Sequence, residues 1–169
     1  MAKGQITIIG MDQVGVSLVL AIKQQRPDVF IVGADSRVEL LRDAMKTGQL
    51  DRNDTNLVVA CREASLIIIT LPVSQLRDVF AAIGSELLEG AVVLDLASVK
   101  AEVLKMAEAV LPPKVQHLGC HLILHPDAAD RFPEEPNADM FHGSLLVMTP
   151  TPNTSEAAIK AGDNLAKTI

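Results

Sequence analysis

The chain has no tryptophan, no tyrosine and only four phenylalanines among its 169 residues, so any stacking on a base would fall to those four rings or to aliphatic side chains. Positive charge is also short. Fifteen Lys and Arg stand against twenty-one Asp and Glu, a net charge of −6, which argues against nucleic acid or an anionic membrane as partner. The longest apolar runs, such as 66–71, fall far below a membrane span. The opening M-A-K-G-Q leads straight into a strand-like segment, without the apolar core or cleavage site of a signal peptide. Two cysteines, Cys61 and Cys120, make no disulfide framework, and the compartment they suit is a reducing cytoplasm.

What the chain does have is aliphatic surface: 49% of its residues are hydrophobic, and its length suits one domain with a proper core. Strand-like and helix-like segments alternate along it. Strands are expected at 5–9, 29–34, 65–71, 91–96, 115–121 and 145–148. Helical spacing of apolar residues marks 14–25, 38–46, 74–88, 99–111 and 155–169, with a short helix or turn at 56–64. Pro27 and Gly48 act as stops, and Thr154 is placed to cap the last helix. The strand segments are continuous apolar runs, not alternating ones, as parallel strands buried on both faces require. Right-handed crossovers then predict an α/β fold with a doubly wound, mainly parallel sheet, of the Rossmann type. The Pro- and acid-rich stretch 125–143 is expected to be a surface loop beside a site.

The turn after the first strand is where a G-x-G-x-x-G dinucleotide fingerprint belongs. Here it reads Gly10, Met11, Asp12, Gln13, Val14, Gly15. The outer glycines permit the tight turn and the close approach of helix to strand. The middle glycine, which lets backbone approach a pyrophosphate, is replaced by Asp12. Two unit charges 4 Å apart repel by about 4 kcal/mol at an effective dielectric of ~20, so Asp12 sets itself against phosphate. Alternatively, Asp12 caps the first helix and fills the anion position itself. Asp35, twenty residues past Gly15, ends the second strand where an acid accepts from the adenosine ribose and favours NAD. Arg37 complicates that preference, because a nearby Arg receives the 2′-phosphate of NADP. The plain alternative is that Asp35 and Ser36 merely cap the next helix.

Several stretches together resemble the prephenate dehydrogenase family. They are I-T-I-I-G-M-D-Q-V-G-V-S-L at 6–18, V-G-A-D at 32–35, S-L-I-I-I-T-L-P-V at 65–73, D-L-A-S-V-K at 95–100, G-C-H at 119–121 and F-H-G-S-L-L-V-M-T-P at 141–150. The resemblance spans nearly the whole chain, and S-V-K followed by G-x-H is its most specific part. It implies NAD(P)-dependent oxidative decarboxylation of prephenate or arogenate on the route to tyrosine, with NAD or NADP as cofactor. By position it makes His121 the group that accepts the substrate hydroxyl's hydrogen bond and takes its proton, which suits a neutral imidazole near pH 7. Ser98 would orient the histidine or the hydroxyl. Thr70, Leu71 and Pro72 would line the nicotinamide side, and Gly10, Asp12, Gln13, Val14, Gly15, Asp35, Ser36 and Arg37 the rest of the cofactor.

The chain departs from the family where P-M-A-G should follow the histidine and Leu122, Ile123, Leu124 and His125 stand instead. The family's C-terminal helical domain, which completes the substrate site and forms a homodimer, is expected to be absent from 1–169, leaving an incomplete enzyme. The rival readings are a degenerate Rossmann domain without cofactor, acting in regulation or interaction, and a module for another small anion or nucleotide. His117, Cys120, His121 and His125 match no structural zinc spacing, and a strand at 115–121 would put Cys120 on the face opposite His117 and His121. No metal is expected. Asp127, Asp130, Glu134 and Glu135 read as a solvated loop face, and Ser98 lacks a G-x-S-x-G elbow, which argues against a hydrolase.

Overall fold

The computed structural model describes residues 4–128 and 135–169. The described strands are β1 (Gln5–Ile9), β2 (Ile31–Ala34), β3 (Arg52–Asp54), β4 (Ala64–Ile69), β5 (Val92–Asp95), β6 (Gln116–Ile123) and β7 (Leu145–Thr149). The helices are α1 (Gln13–Gln25), α2 (Val38–Lys46), α3 (Leu57–Cys61), α4 (Val73–Ile83), α5 (Ala101–Val110) and α6 (Glu156–Thr168). The strands form one sheet in the order β3-β2-β1-β4-β5-β6-β7, parallel except for β7, which runs antiparallel to β6. This is the doubly wound sheet that the apolar runs predict, and its order reverses at β1 and β4.

Two apolar layers sandwich the sheet. On one face α1, α2 and α6 pack on Ile8, Ile68, Leu94 and Leu118. On the other, α3, α4 and α5 pack on Ile9, Ile67, Ile69 and Val93. Consecutive residues of a strand feed opposite layers, as the two-residue repeat demands.

Local expectations need four adjustments. β3 has no counterpart in the predicted strands; it is three half-buried polar residues on the sheet edge. The helix expected over 74–88 ends at Ile83, and a 3-10 turn at Gly84–Glu86 follows. The last helix is capped by Ser155, whose Oγ accepts from the Ala158 N–H at 3.2 Å, while Thr154 Oγ1 accepts from the Thr151 N–H at 2.8 Å. The stretch read as a surface loop buries Met140 and Phe141 in the α1 layer. Its Asn137 N–H donates to Ser17 Oγ at 3.0 Å. Asp130 and Glu134, read as part of an acidic loop face, lie outside the described residues.

Candidate functional site

Five strands stop on one line. Asp54 pairs with Ala34, Ala34 with Ile9, Ile9 with Ile69 and Ile69 with Asp95, and each is the last residue of its strand. Asp95 pairs with Gly119, but β6 runs on for four residues to Ile123, still paired to β7. The result is a level floor at the carboxyl ends of β3, β2, β1, β4 and β5, with the upper part of β6–β7 rising beside it as a wall. In open α/β sheets this edge, at the point where strand order reverses, is where ligands bind.

The residues that follow directly on the floor include Gly10, Asp35 and Thr70. Gly10 turns with φ +102°, open to glycine and strained for other residues, and its N–H donates to Ala34 O at 2.8 Å. Thr70 Oγ1 donates to Gly10 O at 3.1 Å and lies, with Leu71, where a Cβ on Gly10 would be. A Cβ on Gly15 would meet Gly10 O at 1.8 Å, so glycine is required there for α1 to start this close. Pro72 holds the N-cap position of α4. Between the glycines, Asp12 caps α1: its Oδ1 accepts from the N–H groups of Val14 and Gly15, both at 3.1 Å. Gln13 Nε2 donates to Glu135 O at 3.3 Å, bringing the second half of the 125–143 stretch against this turn.

Asp35 is buried and takes the Met11 N–H at 2.9 Å on Oδ2. Arg37 grips the same carboxylate through Nε and Nη2 at 2.9 and 2.8 Å. Burial pushes the Asp35 carboxyl up, but the Arg37 guanidinium and the two backbone donors outweigh it and hold it below the usual carboxylate range. The Asp35 hydrogen bond in turn raises Arg37, with the nearby Asp12 charge acting the same way. Neither Asp35 nor the exposed Ser36 caps α2; its N-cap is Arg37, which makes no side-chain cap.

His121 stands on the wall, two residues beyond Gly119, paired with Val147. β6 is three strands from β1, about 14 Å at normal strand spacing. The imidazole Nδ1 is buried without a hydrogen-bond partner. On the same face, Ile123, Leu145 and Val147 are 45%, 62% and 43% exposed, so the upper wall presents an apolar surface around the histidine. Ser98 is exposed in the turn between β5 and α5, and no hydrogen bond joins it to His121 Nδ1.

Below the wall lies a polar cluster that motif spacing does not reveal. Asp95 is fully buried and bridges two cations or potential cations, Lys100 Nζ on Oδ1 and His117 Nε2 at 2.9 Å on Oδ2. Lys100 Nζ also donates to Cys120 O at 2.5 Å, which pins the peptide carrying His121. The His117 ring packs edge-on against Phe80, with centroids 5.5 Å apart. The signal available in sequence is an acid ending an apolar strand with a lysine five residues on. The partner histidine comes from another strand. Among the described residues no group of three or more His, Cys, Asp and Glu could hold a metal, and no helix is long and apolar enough to cross a membrane.

The family profile described as prephenate dehydrogenase, nucleotide-binding domain, matches residues 18–169. The chain belongs to the prephenate dehydrogenase family. It is similar to the prephenate dehydrogenase of Bacillus subtilis (strain 168), 29% identical over 98% of this chain and 44% of that protein. It is also similar to the cyclohexadienyl dehydrogenase of Zymomonas mobilis, 31% identical over 91% of this chain and 52% of that protein. The fold matches the crystal structure of prephenate dehydrogenase from A. aeolicus in complex with hydroxyphenyl propionate and NAD+, with TM-score 0.84 and 20% identity over 99% of this chain and 58% of that one. The chain thus spans about half the length of these family members. The profile match starts at Leu18, inside α1, so the turn that holds Asp12 precedes it.

Proposed function

We propose that this chain is the dinucleotide-binding half of an NAD(P)-dependent dehydrogenase that oxidatively decarboxylates prephenate or arogenate. The observation that carries this reading is that the Gly10–Gly15 turn, the Asp35 corner and His121 all lie at the one carboxyl edge of the sheet. The residues fit such a cofactor in two respects. Gly10 and Gly15 allow the tight turn that brings the start of α1 to the strand ends, and the wall carries His121 above the same edge. NAD(P)+, when bound, supplies the hydride acceptor. The Gly10–Gly15 turn would face its pyrophosphate, with Asp12 in the middle position, and Thr70, Leu71 and Pro72 would line its nicotinamide end.

His121 would accept a hydrogen bond from the substrate's ring hydroxyl and take its proton as the ring aromatises and carbon dioxide leaves. Because Nδ1 is buried, Nε2 is the atom that would do so. Lys100, through the Cys120 carbonyl, would hold that peptide in place. Ser98 would meet the substrate hydroxyl from the β5 side. The apolar surface of Ile123, Leu145 and Val147 would be covered by the half of the enzyme that completes the substrate pocket and the homodimer. The compartment that suits these features is the cytoplasm.

One observation favours a second reading, a domain that has lost its cofactor: the Asp12 carboxylate already takes the Val14 and Gly15 N–H groups at the start of α1. Calorimetric titration of NAD+ and NADP+ into the wild-type chain and Asp12→Gly separates the two. Micromolar binding by the wild type supports the dehydrogenase. Binding gained only in Asp12→Gly supports the lost cofactor, and no binding by either removes both Asp12 as the obstacle and the site itself.

A further inference from the structure

The carboxylate of Asp35 has no acceptor capacity left. Oδ1 accepts from the Arg37 backbone N–H and from Arg37 Nε, both at 2.9 Å. Oδ2 accepts from the Met11 N–H at 2.9 Å and from Arg37 Nη2 at 2.8 Å. A carboxylate offers about four acceptor positions, and this one, only 2% exposed, has filled them within the protein. An acid at the end of the second strand selects NAD by accepting the ribose hydroxyls. Asp35 can do that only by releasing Arg37.

Arg37 is in the opposite condition. Its side chain is 54% exposed, and the described structure commits only Nε and one N–H of Nη2. The two-point grip of Asp35 fixes the plane of the guanidinium, and Met11 ties the same carboxylate to the turn after β1. A planar, permanently charged donor array is therefore held at the floor's β2 corner, where the adenosine ribose lies in a doubly wound sheet. Such a fork matches a phosphate and is wasted on a hydroxyl.

We infer that this domain selects NADP over NAD, and that Arg37 is the residue that reads the 2′-phosphate. This rests on the dinucleotide reading above, and it reverses the preference that Asp35 suggests when read as an isolated acid. Asp35 becomes the residue that positions Arg37, and its negative charge is answered before any ligand arrives.

The test is calorimetric titration of NADP+ and NAD+, with 2′,5′-ADP and 5′-ADP as the adenosine halves alone, into the full chain, Arg37→Ala and Arg37→Lys. The wild type is expected to bind NADP+ and 2′,5′-ADP about tenfold or more tighter than their partners. Arg37→Ala should lose that preference and tighten on NAD+, because two acceptor positions on Asp35 reopen. Arg37→Lys should keep part of the preference through charge alone. Equal or tighter binding of NAD+ by the wild type overturns the inference while leaving the dinucleotide reading standing. Equal weakening of both dinucleotides in Arg37→Ala also overturns it, because Arg37 would then serve only the local structure. If none of the four ligands binds any variant, the dinucleotide reading falls and this inference with it. The wild-type ratio decides the matter even if Arg37→Ala fails to fold.

Discussion

Lys100 lies across Gly119. A Cβ on that glycine would stand 3.1 Å from Lys100 Cδ and 3.3 Å from Leu104 Cδ2. The bare backbone lets the lysine stem pass beneath the wall and bring Nζ to both the buried Asp95 and the Cys120 carbonyl. The glycine of the G-C-H motif thereby serves the strand beside it as much as its own.

Removing the lysine leaves a fully buried carboxylate with His117 and the Ala97 N–H as its partners among the described residues. Lys100→Met is expected to cost about 3 kcal/mol in urea unfolding, as for other broken buried pairs. The double variant with Asp95→Asn should cost less than the sum of the two single changes. Strict additivity would show that the pair is not coupled.

The closest approach in the phosphate turn is backbone to backbone. A methyl group on Gly15 would lie 1.8 Å from Gly10 O, and neither partner can rotate away. Gly15→Ala should therefore lose about 3 kcal/mol or more by separating α1 from β1. By contrast, Asp12→Gly removes only a cap, expected to cost a few tenths of a kcal/mol. Thermal unfolding of the two variants side by side gives the ranking, and an equal loss would contradict this geometry.

Acid should weaken the corner at β2. The folded-state carboxyl of Asp35 lies below the usual range, because the Arg37 guanidinium and the Met11 and Arg37 N–H groups outweigh burial. An unfolded Asp titrates near about 3.9. Its contribution is thus complete above about pH 5 and disappears as the pH falls through the lower folded value. Urea midpoints for the wild type should drop more steeply below about pH 4 than those of Asp35→Asn. Parallel acid limbs would mean that Asp35 is not ionised in the fold.

Both thiols should be inert. Burial pushes Cys61 and Cys120 up to about 12, with the Asp95 charge adding to the shift at Cys120. A disulfide-type thiol reagent at neutral pH should label neither in the folded chain and both in urea, because thiolate is the reactive form. Rapid labelling of native Cys120 would show that the α1-side layer opens readily.

What the sequence makes legible depends on how local each signal is. The run Leu66–Ile69 is apolar on both faces because both layers cover it, so its strand can be read directly. β3 cannot be read that way: Arg52, Asn53 and Asp54 have poor strand propensity, and only pairing with Val32, Gly33 and Ala34 makes them a strand. The Asp12 cap lies within three residues of its donors and is visible. The Asp95–His117 pair spans twenty-two residues and depends on the register of β5 against β6, which motif spacing does not encode. Met140 and Phe141 were hidden by the prolines and acids around them. Thr154, expected as the cap, is engaged by the Thr151 turn, and Ser155 takes the role instead.

The height difference between floor and wall sets His121 apart from the other residues of the rim. His121 is carried on a strand with a neighbour on each side at its base and with β7 pairing its whole upper length, so ladder hydrogen bonds continue where β5 has ended. The segments after β1, β4 and β5 leave the sheet at the row itself and have no such partner above it. A ligand that reached from Gly10 to His121 would therefore span from a turn level with the strand ends to an imidazole carried above them on the wall.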